Sequence, residues 1–392
     1  MASLAEIFSR YGPAYLEQYG PAILPSHQRA ITDILRCRTP ELGGQVFCCQ
    51  HCGYTHYVYH SCRNRSCPQC HGQQTETWLE QRRQELLAVP YFHVVFTVPD
   101  ELHAAMRSHQ TQLYGILMQA AGQSLIELAN DPHYVGGTVG LMAILHTWGR
   151  TLAYHPHVHC LVTGGGLDRQ SQEWRDARTK YLVPVKALSV LFRRRFQELL
   201  GPTLATLNIP ASVWQARWVV NCKPVTGGPE RVLNYLAGYV YRIAISEDRI
   251  LSAENGRVTF RYRDTRDQRR KTMTLSAEEF IRRFLQHVLP RGFHKVRYYG
   301  LWAPGNHPLR QRLQLLLGSG NPADPSPAEE AETTASVAGA DFPITGRICP
   351  NCQQPTLIWV GRLAPCQRRP HEEPGYDHPP RLQPASPQRG PP

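Results

Sequence analysis

A pair of histidines at alternate positions of a β-prone segment is the part of the sequence most suited to chemistry. Residues 155–159 read His-Pro-His-Val-His. Because alternate side chains of a strand share one face, His157 and His159 should point the same way, with Val158 in the opposite packing layer. Two neutral imidazoles on one face can bind a single divalent ion. The spacing therefore predicts a metal site on this strand.

Two tyrosines farther along the chain have the spacing of neighbours on a helix. Tyr235 and Tyr239 are four residues apart, so they should share one helical face, with Tyr241 rotated away. Alone, such a pair is more typical of core or rim packing. Beside a metal-binding strand it suggests catalysis, because a phenolate can attack phosphorus and remain as a covalent phosphotyrosine. A free tyrosine has a pKa of about 10, so it would need a metal-organised phosphate.

The cysteines predict a structural zinc site in the first part of the chain. Two C-x-x-C turns, which supply Cys49, Cys52, Cys67 and Cys70, are separated by 14 residues. Each turn can aim two sulfurs at one ion, and two turns complete the tetrahedron that Zn²⁺ accepts. Four thiolates leave no position for a substrate water, so the role should be structural. Five nearby residues could replace a ligand or belong to a second site: Cys48, His51, His56, His60 and Cys62.

A third C-x-x-C pair lies far downstream. Cys349 and Cys352 are followed by Cys366 and His371 in a proline-rich region. These four residues could form another zinc knuckle. Their irregular spacing leaves open whether this pair binds a metal at all.

The charge distribution favours a polyanionic partner. The chain has 43 Lys and Arg against 31 Asp and Glu, a net charge of +12. Residues 313–392 hold six Arg against eight acids, which leaves about +14 on residues 1–312. Charge alone does not separate nucleic acid from a membrane surface. No apolar run reaches the roughly 18–20 residues needed to span a bilayer, so we expect a cytoplasmic protein that binds no membrane and keeps its cysteines reduced.

The pattern of elements predicts an α+β fold with an antiparallel sheet. Residues 91–98 form a dense β-branched and aromatic run, and residues 140–148 and 157–163 should pair as neighbouring strands because their connection is short. Short links between interleaved strands and helices argue against a doubly wound parallel sheet. Further predicted elements are helices over 1–36, 188–200, 230–246 and 277–289, a strand over 214–222, and a hairpin of 258–263 with 271–275.

Composition shifts predict the domain boundaries. Residues 1–90 should form a helical and zinc-binding domain, and residues 91–312 a catalytic domain. Residues 313–346 are rich in Ala, Pro, Gly, Ser, Thr and acids, which is typical of a linker. Residues 347–392 then form a tail that carries the third cysteine pair.

These features together resemble the HUH endonucleases, named for the His-hydrophobic-His strand, and within them the two-tyrosine rolling-circle transposases of the insertion sequence 91 family. The resemblance covers most of residues 1–310. Its blocks are residues 67–70, 91–97, 145–149, 155–159, 164–166, 235–239, 280–284 and 297–300. The sequence after about residue 318 lies outside it.

The resemblance implies a transposase that nicks one DNA strand at the element's end, leaving a 5′-phosphotyrosine and a free 3′-OH. His157 and His159 would hold Mg²⁺ or Mn²⁺, with His146 or His155 as candidate third ligand. Tyr235 and Tyr239 would be the nucleophiles. The partner would be DNA, as single strands or hairpin transposon ends. The protein would lie in the cytoplasm of a bacterial-type cell, associated with the nucleoid. No nucleotide cofactor is expected, in agreement with the missing G-x-x-x-x-G-K-[ST] loop.

Two other functions remain open at this point. A zinc-ribbon DNA-binding regulator would explain the cysteines and the charge, but it leaves His157, His159 and the two tyrosines without a joint cause. A conjugative relaxase or plasmid replication initiator would use the same chemistry on another substrate. Covalent capture of single-stranded DNA separates the first of these from a transposase, and the natural DNA substrate separates the second.

Overall fold

The computed structural model divides the chain into two compact units. We call residues 1–28 and 71–322 the sheet unit, and residues 29–70 and 323–392 the cysteine unit. The described residues are 2–70, 78–80, 82–83, 85–178, 180–201, 206–225, 231–232, 240, 243–264, 267–318 and 347–366. The predicted boundaries place residues 347–392 in a separate tail, whereas the described part of that segment groups with residues 29–70.

Helices and strands interleave along the chain. The helices are α1 (Leu4–Tyr19), α2 (Pro25–Arg36), α3 (His103–Ser108), α4 (Gln110–Asn130), α5 (Val185–Leu200), α6 (Ser212–Gln215), α7 (Ala277–Leu285) and α8 (His307–Leu316). The strands are β1 (Gly44–Cys49), β2 (Thr55–Tyr59), β3 (Tyr91–Thr97), β4 (Thr138–Trp148), β5 (Tyr154–Leu167), β6 (Trp174–Asp176), β7 (Val219–Val225), β8 (Ile250–Glu254), β9 (Arg257–Arg263), β10 (Arg270–Ser276), β11 (Val296–Gly300) and β12 (Leu357–Leu363).

A six-stranded antiparallel sheet is the centre of the sheet unit. Its strand order is β11-β4-β5-β3-β7, and β6 pairs with β5 at one end. The predicted antiparallel pairing of β4 with β5 is present, and it places His146 opposite His157. The predicted α+β class with an antiparallel sheet is therefore confirmed.

One face of this sheet forms the main core. On β3, alternation directs Phe92, Val94 and Phe96 into that core, where all three are almost fully buried. Helices α4 and α5 cover this face and pack against each other. Burying one such aromatic side chain contributes roughly 1.5–3 kcal/mol to the stability of the fold. Packing of the two helices against this apolar face therefore stabilises the sheet. The opposite face of the sheet is not covered by these two helices, and it carries the histidines.

That second face has an apolar half and a histidine half. Tyr91, Met142, Ile144 and Leu161 form the apolar half and are almost fully buried. Trp302, Val232 and Val240 pack against the same cluster. The histidines of β3, β4 and β5 lie along the same face, because His93, His146, His157 and His159 occupy the same alternation as these apolar residues.

A small sheet of order β10-β9-β8 lies after β7 in the chain. It contains the predicted hairpin, extended by a third strand. Phe260 of β9 packs edge-on against Phe280 of α7, with ring centroids 5.9 Å apart. Phe284 of α7 in turn contacts Phe8 of α1 at 5.5 Å. Ser276 caps the N-terminus of α7, and its hydroxyl accepts a hydrogen bond from the N–H of Glu279.

Two predicted elements differ from the structure. Residues 1–36 form two helices, because Gly20–Ala22 makes a 3₁₀ turn that contains Pro21, a residue without a backbone N–H. The predicted strand over 214–222 begins only at Val219. Its first residues include the short helix α6, and Trp218 is buried against Phe192 and Phe196 instead of following a strand alternation.

The cysteine unit contains a three-stranded antiparallel sheet of order β12-β1-β2. Strand β12 pairs with β1 from Gly44 opposite Leu363 to Cys49 opposite Leu357, with a bulge after Val46. The distant segment 347–366 is thus joined to residues 44–49 by backbone hydrogen bonds.

Some predictions fall outside the described residues. The predicted helix over 230–246 is described only at residues 231–232, 240 and 243–246, and the predicted linker lies almost wholly outside. Within the part of the chain that the structure describes, no helix is both long and apolar enough to cross a bilayer.

Candidate active site and metal centres

Three histidines converge on the polar half of the central sheet. His146 of β4 lies opposite His157 of β5 in the strand register, and His159 follows on the same face. Their candidate ligand nitrogens all lie within 4.8 Å of one another. His146 is buried, with 2% of its surface exposed, whereas His157 and His159 are half-buried. This arrangement brings the two predicted strand histidines together with a third imidazole.

Second contacts orient the two strand histidines. Nδ1 of His157 donates to the carbonyl oxygen of His155 at 2.7 Å, which leaves the lone pair of the neutral ring on Nε2. Nδ1 of His159 lies 2.8 Å from Nε2 of His93. Burial, helped by the charge of Lys223, lowers the pKa of His93 to about 4. The His93 ring is therefore neutral, and its Nε2 can accept a hydrogen bond from Nδ1 of His159. Metal-binding histidines use this pattern, with Nδ1 held and Nε2 presented.

The two candidate third ligands occupy different groups. His146 belongs to the group of His157 and His159. His155 instead lies with Asp100 and His103, whose ligand atoms are also within 4.8 Å of one another. Three neutral imidazoles suit a divalent ion, and an ion such as Mg²⁺ or Mn²⁺ would take its remaining oxygen ligands from phosphate and water. The histidine group therefore fits the predicted catalytic ion.

A cavity of about 650 Å³ opens onto this histidine group. Five arginines and a single carboxylate residue are among the described residues that line it. The complete described lining is His146, Trp148, Gly149, Arg150, His155, His157, His159, Asp248, Arg249, Arg261, Tyr262, Arg263 and Arg270. Imidazoles on one side and guanidinium groups around them make this cavity suited to a phosphodiester.

The predicted nucleophiles lie outside the described residues. This applies to Tyr235, Tyr239 and the alternative Tyr241. The described residues nearest to them in sequence are Val232 and Val240, and both are buried in the apolar half of the histidine-bearing face.

Eight cysteines form two groups of four in the cysteine unit. One group is Cys37, Cys62, Cys67 and Cys70, and the other is Cys49, Cys52, Cys349 and Cys352. The Sγ–Sγ distances are 3.5 Å for Cys37–Cys70 and Cys62–Cys70, 3.6 Å for Cys49–Cys352 and 3.8 Å for Cys52–Cys349. Four sulfurs at Zn–S bonds of 2.3 Å on a tetrahedron would be roughly 3.8 Å apart. Both groups therefore fit a structural zinc.

This grouping corrects the predicted ligand set. Cys49, Cys52, Cys67 and Cys70 do not form one site, because β12 brings the third C-x-x-C pair beside the first. Cys67 and Cys70 are completed by Cys62, which the sequence offered as an alternative, and by Cys37. Cys366 is exposed and belongs to neither group, and His371 lies outside the described residues.

The two paired turns have the same backbone geometry. The N–H of Gly53 donates to the carbonyl of Cys49, and the N–H of Gln353 donates to the carbonyl of Cys349, each at 2.9 Å. Gly53 and Gln353 both have positive φ, 72° and 59°. Thr356 Oγ1 also lies 3.0 Å from the sulfur of Cys49, and this hydrogen bond lowers the pKa of that thiol to about 6. A thiolate is the form that binds zinc.

Sequence reasoning missed Cys37, His93 and the grouping of the Cys349–Cys352 pair with Cys49 and Cys52. Ten of the 12 cysteines lie outside the central sheet, which is enough for two sets of four, and this number was the available signal for the cysteine groups. For His93, the signal was a polar residue at a position of β3 that alternates with the core residues Phe92 and Val94.

Comparison with known proteins gives the family. Residues 7–98 match the family described as "Transposase zinc-binding domain", and residues 140–310 match the one described as "Putative transposase". The chain is 40% identical over 382 residues to the "Putative transposase y4qJ" of Sinorhizobium fredii, covering 91% of this chain and 94% of that protein. It is 30% identical over 321 residues to the "Transposase for insertion sequence element IS801" of Pseudomonas savastanoi pv. phaseolicola, covering 76% and 75%. The chain therefore belongs to the insertion sequence 91 family of transposases, with an N-terminal zinc-binding domain.

Proposed function

We propose that this transposase nicks and rejoins single-stranded DNA at transposon ends through a tyrosine nucleophile and a histidine-bound divalent ion. The observation that supports this most is the convergence of His146, His157 and His159 in a cavity lined by arginines. A pure DNA-binding regulator needs no such group. The proposed reaction takes place where the element's DNA is, in the bacterial cytoplasm.

In this proposal the three histidines hold Mg²⁺ or Mn²⁺. The bound ion would polarise the scissile phosphate and stabilise the negative charge that builds on its oxygens. The backbone carbonyl of His155 and the ring of His93 act on the ligands, because they fix Nδ1 of His157 and of His159 by hydrogen bonds. The protein thereby fixes the direction of each ligand before substrate arrives.

The phenolic oxygens of Tyr235 and Tyr239 are the proposed nucleophiles. One oxygen loses its proton and bonds to phosphorus, the bond from phosphorus to the 3′ oxygen breaks, and that oxygen gains a proton to become a 3′-OH. The product is a 5′-phosphotyrosine that keeps the phosphodiester energy, so no nucleotide cofactor is consumed. The burial of Val232 and Val240 on the histidine-bearing face supports this assignment, because both tyrosines lie between these residues in sequence.

Adduct formation tests the proposal. The purified protein is incubated with a labelled single strand or hairpin carrying the element's end and with Mn²⁺, and the products are separated by denaturing electrophoresis. We expect a labelled protein–DNA adduct that disappears in the His157→Ala/His159→Ala variant. His133→Ala is the matched control, because His133 is an exposed histidine of the same unit that lies before β4 and does not line the cavity. A wild-type protein that binds DNA and forms no adduct would favour the regulator.

A plasmid relaxase or replication initiator would also form the adduct. Competing substrates separate these functions. We expect preference for DNA from the ends of the element over origins of transfer or replication.

A further inference from the structure

The hairpin of β9 and β10 presents three arginines on one face. Arg263 and Arg270 lie directly opposite each other in the strand register, and Arg261 lies two residues along β9 on the same face. All three line the cavity that contains the histidine group. We call Arg261, Arg263 and Arg270 the arginine face.

The arginine face is not neutralised by the hairpin's own acids. Asp264 and Asp267 pair with Lys271, whose ammonium lies 2.6 Å and 3.0 Å from their carboxylates. Within the described residues, no carboxylate is within ion-pair distance of Arg261, Arg263 or Arg270. Like charges placed directly opposite across a ladder destabilise a hairpin. An anion in the cavity would relieve that repulsion.

The position of this face is fixed by hydrogen bonds from two further arginines of the cavity. Arg150, just after β4, donates to the carbonyl of Arg263 at 3.0 Å. Arg249 donates to the carbonyl of Arg261 at 2.9 Å and to that of Arg150 at 2.7 Å. Two arginines of the cavity therefore join the backbone of the hairpin to the turn between the histidine-bearing strands, and the arginine face lines the same cavity as the histidines.

We propose that the arginine face binds the phosphodiester backbone of the strand next to the scissile phosphate. The role of the neighbouring phosphate rests on the proposed function, but the binding of single-stranded nucleic acid does not. Guanidinium groups form paired hydrogen bonds with phosphate oxygens, and they carry no base preference. The arginine face would set the position of the strand and leave the choice of sequence to other parts of the chain.

Equilibrium binding tests this without any cleavage. The full-length protein is titrated with a labelled mixed-sequence single strand in EDTA, over a series of salt concentrations, and anisotropy is recorded. We expect Arg263→Ala and Arg270→Ala each to lower the affinity about tenfold. For the double variant, the slope of log affinity against log salt should become shallower by about 1.4, since each lost phosphate contact removes about 0.7.

Arg257→Ala is the matched control. Arg257 lies on the same face of β9 and is exposed, but it is opposite Glu254 and does not line the cavity. Its removal should leave both affinity and salt slope unchanged. Arg270→Glu adds a second test. Because the Arg270 side chain is exposed, reversing its charge should weaken binding more than Ala does and leave the fold intact. Thermal unfolding checks that the variant is folded.

The outcomes separate this inference from the proposed function. Unchanged affinity and salt slope in the Arg263→Ala/Arg270→Ala variant would overturn the arginine face as a binding site, even if adducts form. An equal loss of affinity in Arg257→Ala would overturn it too, because general charge would then be the cause. A wild type that forms no adduct but shows the expected loss on arginine removal would refute the cleavage proposal alone.

Discussion

Nε2 of His93 lies 2.8 Å from Nδ1 of His159, and the two rings are nearly parallel, with an interplanar angle of 8°. The contact joins β3 to the histidine-bearing strand β5 on the outward face of the sheet. A ring held in this way has one orientation available for its remaining nitrogen. The precision of the proposed metal site thus depends on a residue that is not itself one of its proposed ligands.

Replacing His93 should weaken the metal site without removing a ligand. We expect His93→Ala to raise the Mn²⁺ concentration needed for half-maximal adduct formation by about 10–100-fold, which is the usual cost of losing such a partner. Excess Mn²⁺ should restore most of the rate. His93→Gln can still accept the proton of His159 and should recover part of the affinity. A loss of rate at every Mn²⁺ concentration would point to a structural defect instead.

Replacing Tyr235 or Tyr239 with Phe should affect covalent attachment to DNA and strand transfer, and not folding. Tyr235→Phe or Tyr239→Phe removes only the phenolic oxygen, so folding should be kept, and each single variant should still form an adduct but fail to complete strand transfer. The double variant should form no adduct in the denaturing gel. Tyr181→Phe, at an exposed tyrosine of the same unit, serves as the control. An adduct in the double variant would move the nucleophile elsewhere, with Tyr241 the next candidate.

Metal analysis should find two zinc ions per chain, one for each group of four cysteines. Cys349→Ser/Cys352→Ser should lower the content to one, because Cys49 and Cys52 would lose their partners. Cys366→Ser should leave it at two, since Cys366 belongs to neither group. Loss of zinc from the Cys366 variant, or one ion in the wild type, would contradict the two-site assignment.

His287 should make the sheet unit sensitive to acid. It is buried, with Nδ1 beside Thr147 and Nε2 donating to the carbonyl of Leu152, and burial lowers its pKa to about 4. The unfolded chain binds this proton near pH 6.5, so stability is present above that pH and is lost as pH falls towards 4. The loss can reach about 3 kcal/mol.

The test compares thermal unfolding of wild type and His287→Gln across that pH range. We expect the variant to be less stable at neutral pH and to lose less stability on acidification. An identical pH dependence in both proteins would assign the acid sensitivity to other histidines, for which His27 and His93 also have pKa values lowered to about 4 by burial.

The histidine site shows how far local pattern reaches. The alternation of His157, Val158 and His159 is a property of one strand, and the structure keeps it, with Val158 fully buried and the histidines on the other face. The choice of His146 over His155 needs the register between β4 and β5. A one-residue shift in that register would have reversed the faces.

The zinc ligands show where local pattern fails. The two nearest C-x-x-C turns were the natural pair by sequence spacing, but ligand sets are decided by which strands lie together. The pairing of β12 with β1 joins residues that are more than 300 positions apart, and the spacing of cysteines within residues 37–70 does not predict it. His93 was missed for a similar reason, because its partner is contributed by a different strand.

Cys52 and Cys349 are 297 residues apart in sequence, yet their sulfurs lie 3.8 Å apart in one group. During synthesis, the first two ligands of this group leave the ribosome long before the last two exist. The group can close only after the segment 347–363 has been made, so the nascent chain carries the thiols of Cys49 and Cys52 without their final partners while the sheet unit is being completed. A polypeptide that stops before residue 347 would keep every histidine of the central sheet and lack this metal group. Ribosomes stalled on either side of that point would therefore yield chains that differ in zinc content by one ion.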